Sequence, residues 1–358
     1  MRTGHRAALG AIVAVLWIPT LASAHLGSRK YLRVEIAEGR ATIEAEVEAI
    51  DASMELGLGE DVNRDALMAR TAQVRRWLEE GIEVRAGTTP CPVESTEPTW
   101  RDRDDVAFLV VTLRYECGAG ELALEDNTVF PDDPQHEALV ALAWSDAQDA
   151  QVLRRGSREL SLGGPAGLGD VVATFLWEGV LHFATGYDHV LFLLSLVLAA
   201  GFVSRRDGIR KALRDVAILV TAFTLGHSVT LIAAALEVVV LPIKPVEIVI
   251  AASIVVVALL NLWRPEQRGP LPWLAVGFGL IHGFGFSSVL AELGLPVAHR
   301  VAALVSFNVG IELAQLAFVA VVLGPIAWMA RKDAYPWVVR GSSVVIALLA
   351  CFWVIERI

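Results

Sequence analysis

The sequence predicts a membrane α-helical bundle of six transmembrane helices, preceded by a small, mainly-β exported domain. Apolar residues make up 54% of the 358-residue chain and the mean hydropathy is +0.53, which is too high for a single soluble globule. Residues 25–165 contain 28 Asp and Glu against 15 Lys and Arg. Residues 166–358 contain 12 against 13, together with nearly all the long apolar runs. This division indicates two domains that face different solvents.

Residues 1–24 have the pattern of a secretory signal peptide. Two arginines precede an apolar core at 7–18, and Ala22-Ser23-Ala24 gives a small-residue cleavage pattern. The core is short for a hydrocarbon layer of ~30 Å, so we expect cleavage rather than an uncleaved first transmembrane helix. Cleavage would make His25 the new terminus, where the amine and the imidazole can chelate a metal such as copper. The alternative is that His25 simply follows the cleavage site.

Residues 25–161 are predicted to form a mainly-β domain in the periplasm. Apolar and acidic residues alternate along 41–50, which is typical of a half-buried strand, and 106–116 is the strongest strand-like run. Further elements are predicted as strands at 30–37, 121–125 and 138–144 and a helix over 63–80 capped by Asn63. Together they indicate a sandwich-like module. Its acidity argues against a nucleic-acid partner and is compatible with attraction of cations or with a solvated face.

Two cysteines of this domain, Cys91 and Cys117, are predicted to form a disulfide, because an exported compartment permits one. A two-thiolate metal site is less favoured, since neither cysteine has a CxxC partner. Cys351 lies in an apolar helix and is expected to pack there. His136 is the other histidine of the domain, and a metal site formed with His25 is an accessory hypothesis.

A glycine-rich linker at 162–170 leads into the predicted transmembrane domain, 171–358. Six apolar segments are long enough to cross a bilayer at ~1.5 Å per residue. They are about 172–201, 213–236, 246–263, 271–292, 301–326 and 337–355. Ten of the 13 basic residues in this half fall in loops on the inner side if the first domain is outside, as the positive-inside rule requires. We therefore expect a multi-pass protein of the bacterial inner membrane, with the N-terminal domain and the C-terminus in the periplasm.

Ionisable side chains inside these segments indicate a shared polar site. A charged residue at bilayer depth costs a few kcal/mol or more, so each needs a partner or a function. The set comprises His182, Asp188, His189, His227, His282 and Glu312. His182 and His189 are seven residues apart and would share one helix face, as would Asn308 with Glu312 and Gln315. Glu247 and Asn308 are accessory candidates. A polar network that only stabilises the bundle is the alternative.

Neutral imidazoles and carboxylates suit divalent metals such as nickel, cobalt, zinc or copper. No P-loop motif is present, so an ATP-driven pump is not expected. Histidine pairs could instead be axial ligands of haem. Three histidines with Asp188 and Ser228 could hold zinc for hydrolysis within the membrane, although the sequence has no HExxH motif. A metal-enzyme assembly or interaction factor is a third alternative.

The run from His182 to His189, H-x5-D-H with Leu-Phe-Leu-Leu at 191–194, resembles the HupE/UreJ family, particularly its branch with an exported N-terminal domain. Three further segments occur in matching order: Gly-His-Ser-x-Thr at 226–230, Gly-Leu-Ile-His-Gly-Phe-Gly at 279–285 and Phe-Asn-x-Gly-x-Glu at 307–312. Well-known nickel permeases carry H-x4-D-H, one residue fewer, and lack the exported domain.

The resemblance implies nickel or cobalt uptake for hydrogenase and urease maturation. It makes His182, Asp188 and His189 metal ligands on the permeation path. It adds His227, His282 and Glu312 as candidates. We therefore expect a transporter rather than an enzyme, with nickel or cobalt as substrate and copper or zinc as alternatives. The metal ion and the lipid bilayer are its expected partners, and a periplasmic metal-binding protein is a further candidate.

Overall fold

A computed structural model describes a β domain followed by a bundle of helices, which confirms these two parts of the predicted fold class. The described residues are 28–37, 39–59, 62–103, 106–129, 136–144, 148–154, 156–164, 167–236, 238–239, 241–263, 272–286 and 297–358. The predicted signal peptide and His25 lie outside these residues.

The strands of the β domain form two sheets. Their bounds are β1 Arg29–Ala37, β2 Arg40–Glu48, β3 Ile82–Ala86, β4 Thr89–Pro90, β5 Val93–Ser95, β6 Thr99–Arg103, β7 Val106–Glu116, β8 Leu122–Asp126, β9 Glu137–Ala143, β10 Gln148–Leu153 and β11 Glu159–Ser161. The larger sheet has the order β10-β9-β1-β2-β7-β5, and β6 also pairs with β7. The smaller sheet has the order β11-β8-β3-β4. Within the larger sheet β1 pairs parallel with β9 and antiparallel with β2.

The alternation along β2 works as the sequence predicts, because Ile43, Ala45 and Val47 are buried in the domain core. The strand ends at Glu48, however, and the chain turns into helix α1, Ala49–Glu55, where a strand to residue 50 was predicted. The predicted helix over 63–80 is two helices, α2 Arg64–Met68 and α3 Thr71–Gly81. Asn63 caps the first as predicted, since its side chain accepts a 3.0 Å hydrogen bond from the amide of Ala66. The disulfide between Cys91 and Cys117 is confirmed.

The helical part begins earlier than predicted. Its elements are α4 Leu168–Thr185, α5 Tyr187–Asp207, α6 Ile209–Ala235, α7 Ile243–Trp263, α8 Pro272–His282 with a 3-10 turn at Gly283–Phe286, α9 Val297–Ala330 and α10 Tyr335–Glu356. The first turn of α4 occupies residues assigned to the linker, because Asp170 accepts a hydrogen bond from the amide of Gly167. Cys351 lies exposed on α10 rather than packed.

Five of the described helices, α5, α6, α7, α9 and α10, are long and apolar enough to cross a membrane. Six spans are therefore not confirmed. The predicted first span, 172–201, is the two helices α4 and α5, which Gly186 separates. The predicted fourth span, 271–292, is represented by the 11 residues of α8 and the 3-10 turn, and its remainder lies outside the described residues.

The β domain packs directly on one end of the bundle. Leu139 and Ala150 of the β domain belong to one apolar cluster with Phe175 of α4, Ala235 of α6 and Leu304 of α9. The end of the bundle that carries the β domain is therefore the end where α6 finishes and α9 begins.

Candidate metal site

Four histidines on four helices lie at the centre of the bundle. His182 is on α4, His189 on α5, His227 on α6 and His282 at the end of α8. The last three are buried, with at most 7% of their surface exposed.

The prediction that His182 and His189 share one helix face was wrong, because the helix breaks at Gly186. On a continuous helix the two residues would be about 10 Å apart along the axis. The break instead brings the two imidazole centroids to 4.9 Å. A side chain at Gly186 would prevent this approach, since a Cβ there would lie 2.6 Å from the His182 carbonyl oxygen and 2.9 Å from Nδ1 of His189.

Three of the rings form a compact group of nitrogen donors. His227 lies 6.1 Å from His189 and 6.3 Å from His182, measured between ring centroids. One nitrogen from each ring lies within 4.8 Å of the others. A tetrahedral metal bonded to three imidazoles needs nitrogens about 3.4 Å apart, so small side-chain rotations would close this group on an ion. His282 continues the group, 5.2 Å from His189.

Hydrogen bonds to neighbouring side chains orient the rings of His227 and His282. Asn308 Oδ1 lies 3.1 Å from Nδ1 of His227, and Ser253 Oγ lies 3.0 Å from Nε2 of His282. Metal-binding histidines are commonly held in this way through the nitrogen that does not bind the metal. The buried Nε2 of His227, Nδ1 of His282 and both nitrogens of His189 have no hydrogen-bond partner among the described residues. Buried polar atoms without partners are unusual and indicate a missing ligand or water.

Aromatic side chains enclose the group. Phe307 packs 5.2 Å from His182, Phe223 packs 6.0 Å from His189, and Phe192 packs 5.6 Å from His282. An apolar shell of this kind excludes water and strengthens bonds between the histidines and a cation. The group is thus suited to a dehydrated metal ion.

The sequence of the bundle matches a known family. The model of the family described as HupE / UreJ protein matches residues 161–357, which cover every helix of the bundle. The chain belongs to the HupE/UreJ family. This family is linked to nickel and cobalt transport. Among curated proteins, none matches the sequence.

In this HupE/UreJ protein the group of three histidines does not include the two predicted carboxylate ligands, which have other partners. Asp188 accepts a 3.0 Å hydrogen bond from Arg357, which also donates to the backbone carbonyl of Glu247. Successive helix positions are about 100° apart, so Asp188 faces α7 and α10 while His189 faces α6 and α8. Glu312 accepts a 2.6 Å hydrogen bond from Thr221. Their roles as ligands stay predictions.

The shared face of α9 has the arrangement that the spacing predicts. Asn308, Glu312 and Gln315 all contact side chains of α6, through His227, Thr221 and Thr224 respectively. Of these, Asn308 contacts His227 of the three-histidine group, so it belongs to the site as a supporting residue.

The sequence did not reveal a contact between the two domains at this site. Arg154 of the β domain binds Glu137 in its own domain at 2.6 Å and Glu178 of α4 on the bundle. Glu178 lies one helical turn before His182. Glu178 and His182 are four residues apart and so share one helix face, but no local pattern links that face to Arg154, 24 residues away.

His136 lies in the β domain rather than in the bundle. Its Nδ1 is 2.7 Å from Ser28 Oγ and 3.9 Å from a carboxylate oxygen of Asp51. The described surroundings of His136 therefore account for it without the histidines of the bundle. The pairing with His25 falls outside the described residues.

Proposed function

We propose that this HupE/UreJ protein is a permease for a divalent transition metal, with nickel or cobalt as the substrate and copper or zinc as alternatives. The observation that carries the proposal is the buried group of His182, His189 and His227, whose nitrogens lie within 4.8 Å of one another on three different helices. The family's link to nickel and cobalt transport supports the same choice.

The donor set favours this class of cation. Imidazole binds nickel, cobalt, copper and zinc, whereas magnesium and calcium prefer oxygen ligands. Asp188 and Glu178, the carboxylates nearest in sequence to His189 and His182, already bind arginines. The ligands of this group are therefore the three imidazoles, which bind metals as neutral nitrogen donors. Three protein ligands leave further coordination positions open, and this lets an ion enter and leave.

Charge bias gives the orientation that we propose. Basic residues cluster at the end of the bundle opposite the β domain, as in Arg205, Arg206 and Arg331. The positive-inside rule then places that end in the cytoplasm of a bacterial inner membrane, and the β domain and C-terminus in the periplasm. The acidic β domain would attract cations or receive them from a periplasmic metal-binding protein.

Binding should depend on pH, because metal ligation requires deprotonated imidazoles and releases protons when they start protonated. Metal affinity is therefore expected to fall as the pH is lowered. This coupling offers a proton-linked route for release without any nucleotide.

The first test is metal binding by the full chain in detergent, with Co²⁺ as the probe because its visible absorption reports the ligand set. We expect one Co²⁺ per chain in the wild type and none above background in the His182→Ala/His189→Ala variant. Ser342→Ala, a buried polar residue of α10, is the matched control and should bind like the wild type. Uptake of Ni²⁺ or Co²⁺ into proteoliposomes then tests transport.

Wild-type protein that holds no transition metal after incubation with nickel, cobalt, copper and zinc in turn would contradict the proposal. A haem spectrum in the purified protein would favour the electron-transfer alternative instead. Equal metal content in the wild type and the double variant would move the site away from α4 and α5.

A further inference from the structure

Two helices of the bundle end at a histidine or within one turn after it. α4 ends at Thr185, three residues after His182, and α8 ends at His282 itself. The sequences before the two breaks are alike, Gly179-Val-Leu-His182 and Gly279-Leu-Ile-His282. Interrupted helices in corresponding positions of two halves of a transporter are typical of internal repeats.

α4 packs against α9, and α8 packs against α6, through the same kind of close glycine contact. A Cβ on Gly179 would overlap the carbonyl oxygen of Phe307 on α9 and lie 2.9 Å from the amide nitrogen four residues later. A Cβ on Gly279 would overlap the carbonyl oxygen of Phe223 on α6 and again lie 2.9 Å from the amide nitrogen four residues later. The crossing of α4 with α9 and the crossing of α8 with α6 therefore place the glycine against corresponding backbone atoms of the partner helix.

The match is reciprocal. The partner helices carry Phe223-Thr-Leu-Gly226 and Phe307-Asn-Val-Gly310. A Cβ on Gly226 would overlap the carbonyl oxygen three residues before Gly279, and a Cβ on Gly310 would overlap the one three residues before Gly179. The pair α4 and α9 is thus equivalent to the pair α8 and α6, with His182 equivalent to His282.

The two units run in opposite directions. Bonds from Thr221 to Glu312 and between His227 and Asn308 show that α6 and α9 are antiparallel. The third helices, α7 and α10, are also antiparallel, because Arg357 after the end of α10 reaches Glu247 near the start of α7. Units of opposite direction related in this way form an inverted repeat, and transporters with such repeats bind substrate at the repeat interface.

His189 lies between the two equivalent histidines. Its ring centroid is 4.9 Å from His182 and 5.2 Å from His282, and neither of its buried nitrogens has a hydrogen-bond partner among the described residues. Ser253, the middle residue of α7, bonds His282, so His282 lies near the mid-depth of that helix.

We propose that α4, α6 and α7 form an inverted copy of α8, α9 and α10, with α5 inserted after the first helix of its unit. We propose further that the cation moves between two positions as His189 exchanges its partner. In the first position His182, His189 and His227 bind the ion. In the second position His189 and His282 bind it. This inference rests on the proposed metal transport and adds a second binding position to it.

A cavity lies beside the aromatic side chains that pack against His282. It has a volume of about 100 Å³ and lies between α5, α6, α7 and α8. Phe192 and Phe278 line it next to His282, and Asn261 and Asp215 line it toward the end of the bundle opposite the β domain. An ion that left the second position toward the end of the bundle opposite the β domain would enter this space.

Equilibrium binding and transport of Co²⁺ by full-length variants separate the two positions. The His282→Ala variant should still bind one Co²⁺ per chain with an affinity within a few-fold of the wild type, while its uptake into proteoliposomes falls by at least about tenfold, which corresponds to about 1.4 kcal/mol. His282→Gln, which keeps a hydrogen-bonding group toward Ser253, is the second variant in case the first does not fold. His182→Ala should lose both binding and uptake, and Ser342→Ala should lose neither.

Each outcome is decisive. Wild-type uptake by the His282 variants would overturn the second position and leave the proposed function intact. Loss of Co²⁺ binding in folded His282 variants would place His282 in the same site as the other three, which also overturns it. A wild type that neither binds nor transports Co²⁺ would refute the proposed function and the inference together.

Discussion

Two glycines on α8 give a controlled test of the close helix contact beside the histidines. Gly279 lies against α6, where an added Cβ would overlap the Phe223 carbonyl oxygen and lie 2.9 Å from the amide nitrogen of His227. Gly277, two residues earlier on the same helix, has no atom within 4 Å of its Cβ position. The substitutions Gly279→Ala and Gly277→Ala therefore differ in packing alone.

The expected magnitudes follow from these distances. Backbone atoms cannot rotate away, so Gly279→Ala must push α6 and α8 apart, and overpacking of this kind costs typically about 1–3 kcal/mol. Gly277→Ala should stabilise α8 by up to about 1 kcal/mol, because alanine is the better helix former. The helix-propensity gain is common to both variants, so their free energies of unfolding should differ by the overpacking cost, about 1–3 kcal/mol.

Thermal unfolding of the metal-free chain in detergent, followed by tryptophan fluorescence, measures this difference. Co²⁺ titration of the same samples measures its effect on the site, since the displaced backbone belongs to His227. We expect a lower melting temperature and weaker Co²⁺ binding for Gly279→Ala alone. Equal melting temperatures for the two variants would refute the close approach of α6 and α8.

Three further outcomes are expected. Lys30→Met leaves the buried carboxylate of Asp126 without its 2.6 Å partner and should destabilise the β domain by about 3–5 kcal/mol, measured by hydrogen exchange of β1 in the full chain. Burial lowers the pKa of Lys30, and the nearby charge of Asp126 reduces this shift only in part. Between the lowered pKa and about 10.4, Lys30 is therefore protonated in the unfolded state and neutral in the folded state. Wild-type stability should rise with pH across this window, and the variant should lose that rise. Arg154→Met should speed hydrogen exchange at the junction of the β domain and α4, and adding Glu178→Gln should restore part of the protection, because the second change removes the unpaired charge. Tyr335→Phe removes a 2.6 Å hydrogen bond to α5 and should cost about 1 kcal/mol of thermal stability while Co²⁺ affinity stays at the wild-type value.

Elements with a strong repeat period were predictable from the sequence. Alternation located β2 to within two residues, the strand-like run 106–116 matches β7, and apolar length located α6, α7 and α10 to within a few residues. Asn63 was predictable as a cap because the capping interaction is local. Local signals of this kind need no knowledge of the rest of the fold.

Breaks and long-range pairings were not predictable in the same way. The apolar run through Gly186 predicts one continuous span, but the helix breaks at Gly186. This break depends on packing against other helices, which the local sequence does not show. Likewise, the partner of Asp188 is Arg357, 169 residues away, and no local pattern connects them. The residue types of the candidate site were visible in the sequence, but which of them face each other depends on the tertiary structure.

The interrupted helices also fix the electric field at the histidines. α4 and α8 both end beside the cluster, and the C-terminus of a helix carries a partial charge of about −0.5 from its aligned peptide dipoles. α5 begins at the same place with its positive end, and Asp188 in its first turn is balanced by Arg357, so two negative helix ends face one positive helix end. Backbone carbonyl ends therefore favour cations over anions at a site whose side-chain donors are neutral. Charge selectivity would then belong to the main chain, and the choice among metals to the imidazoles.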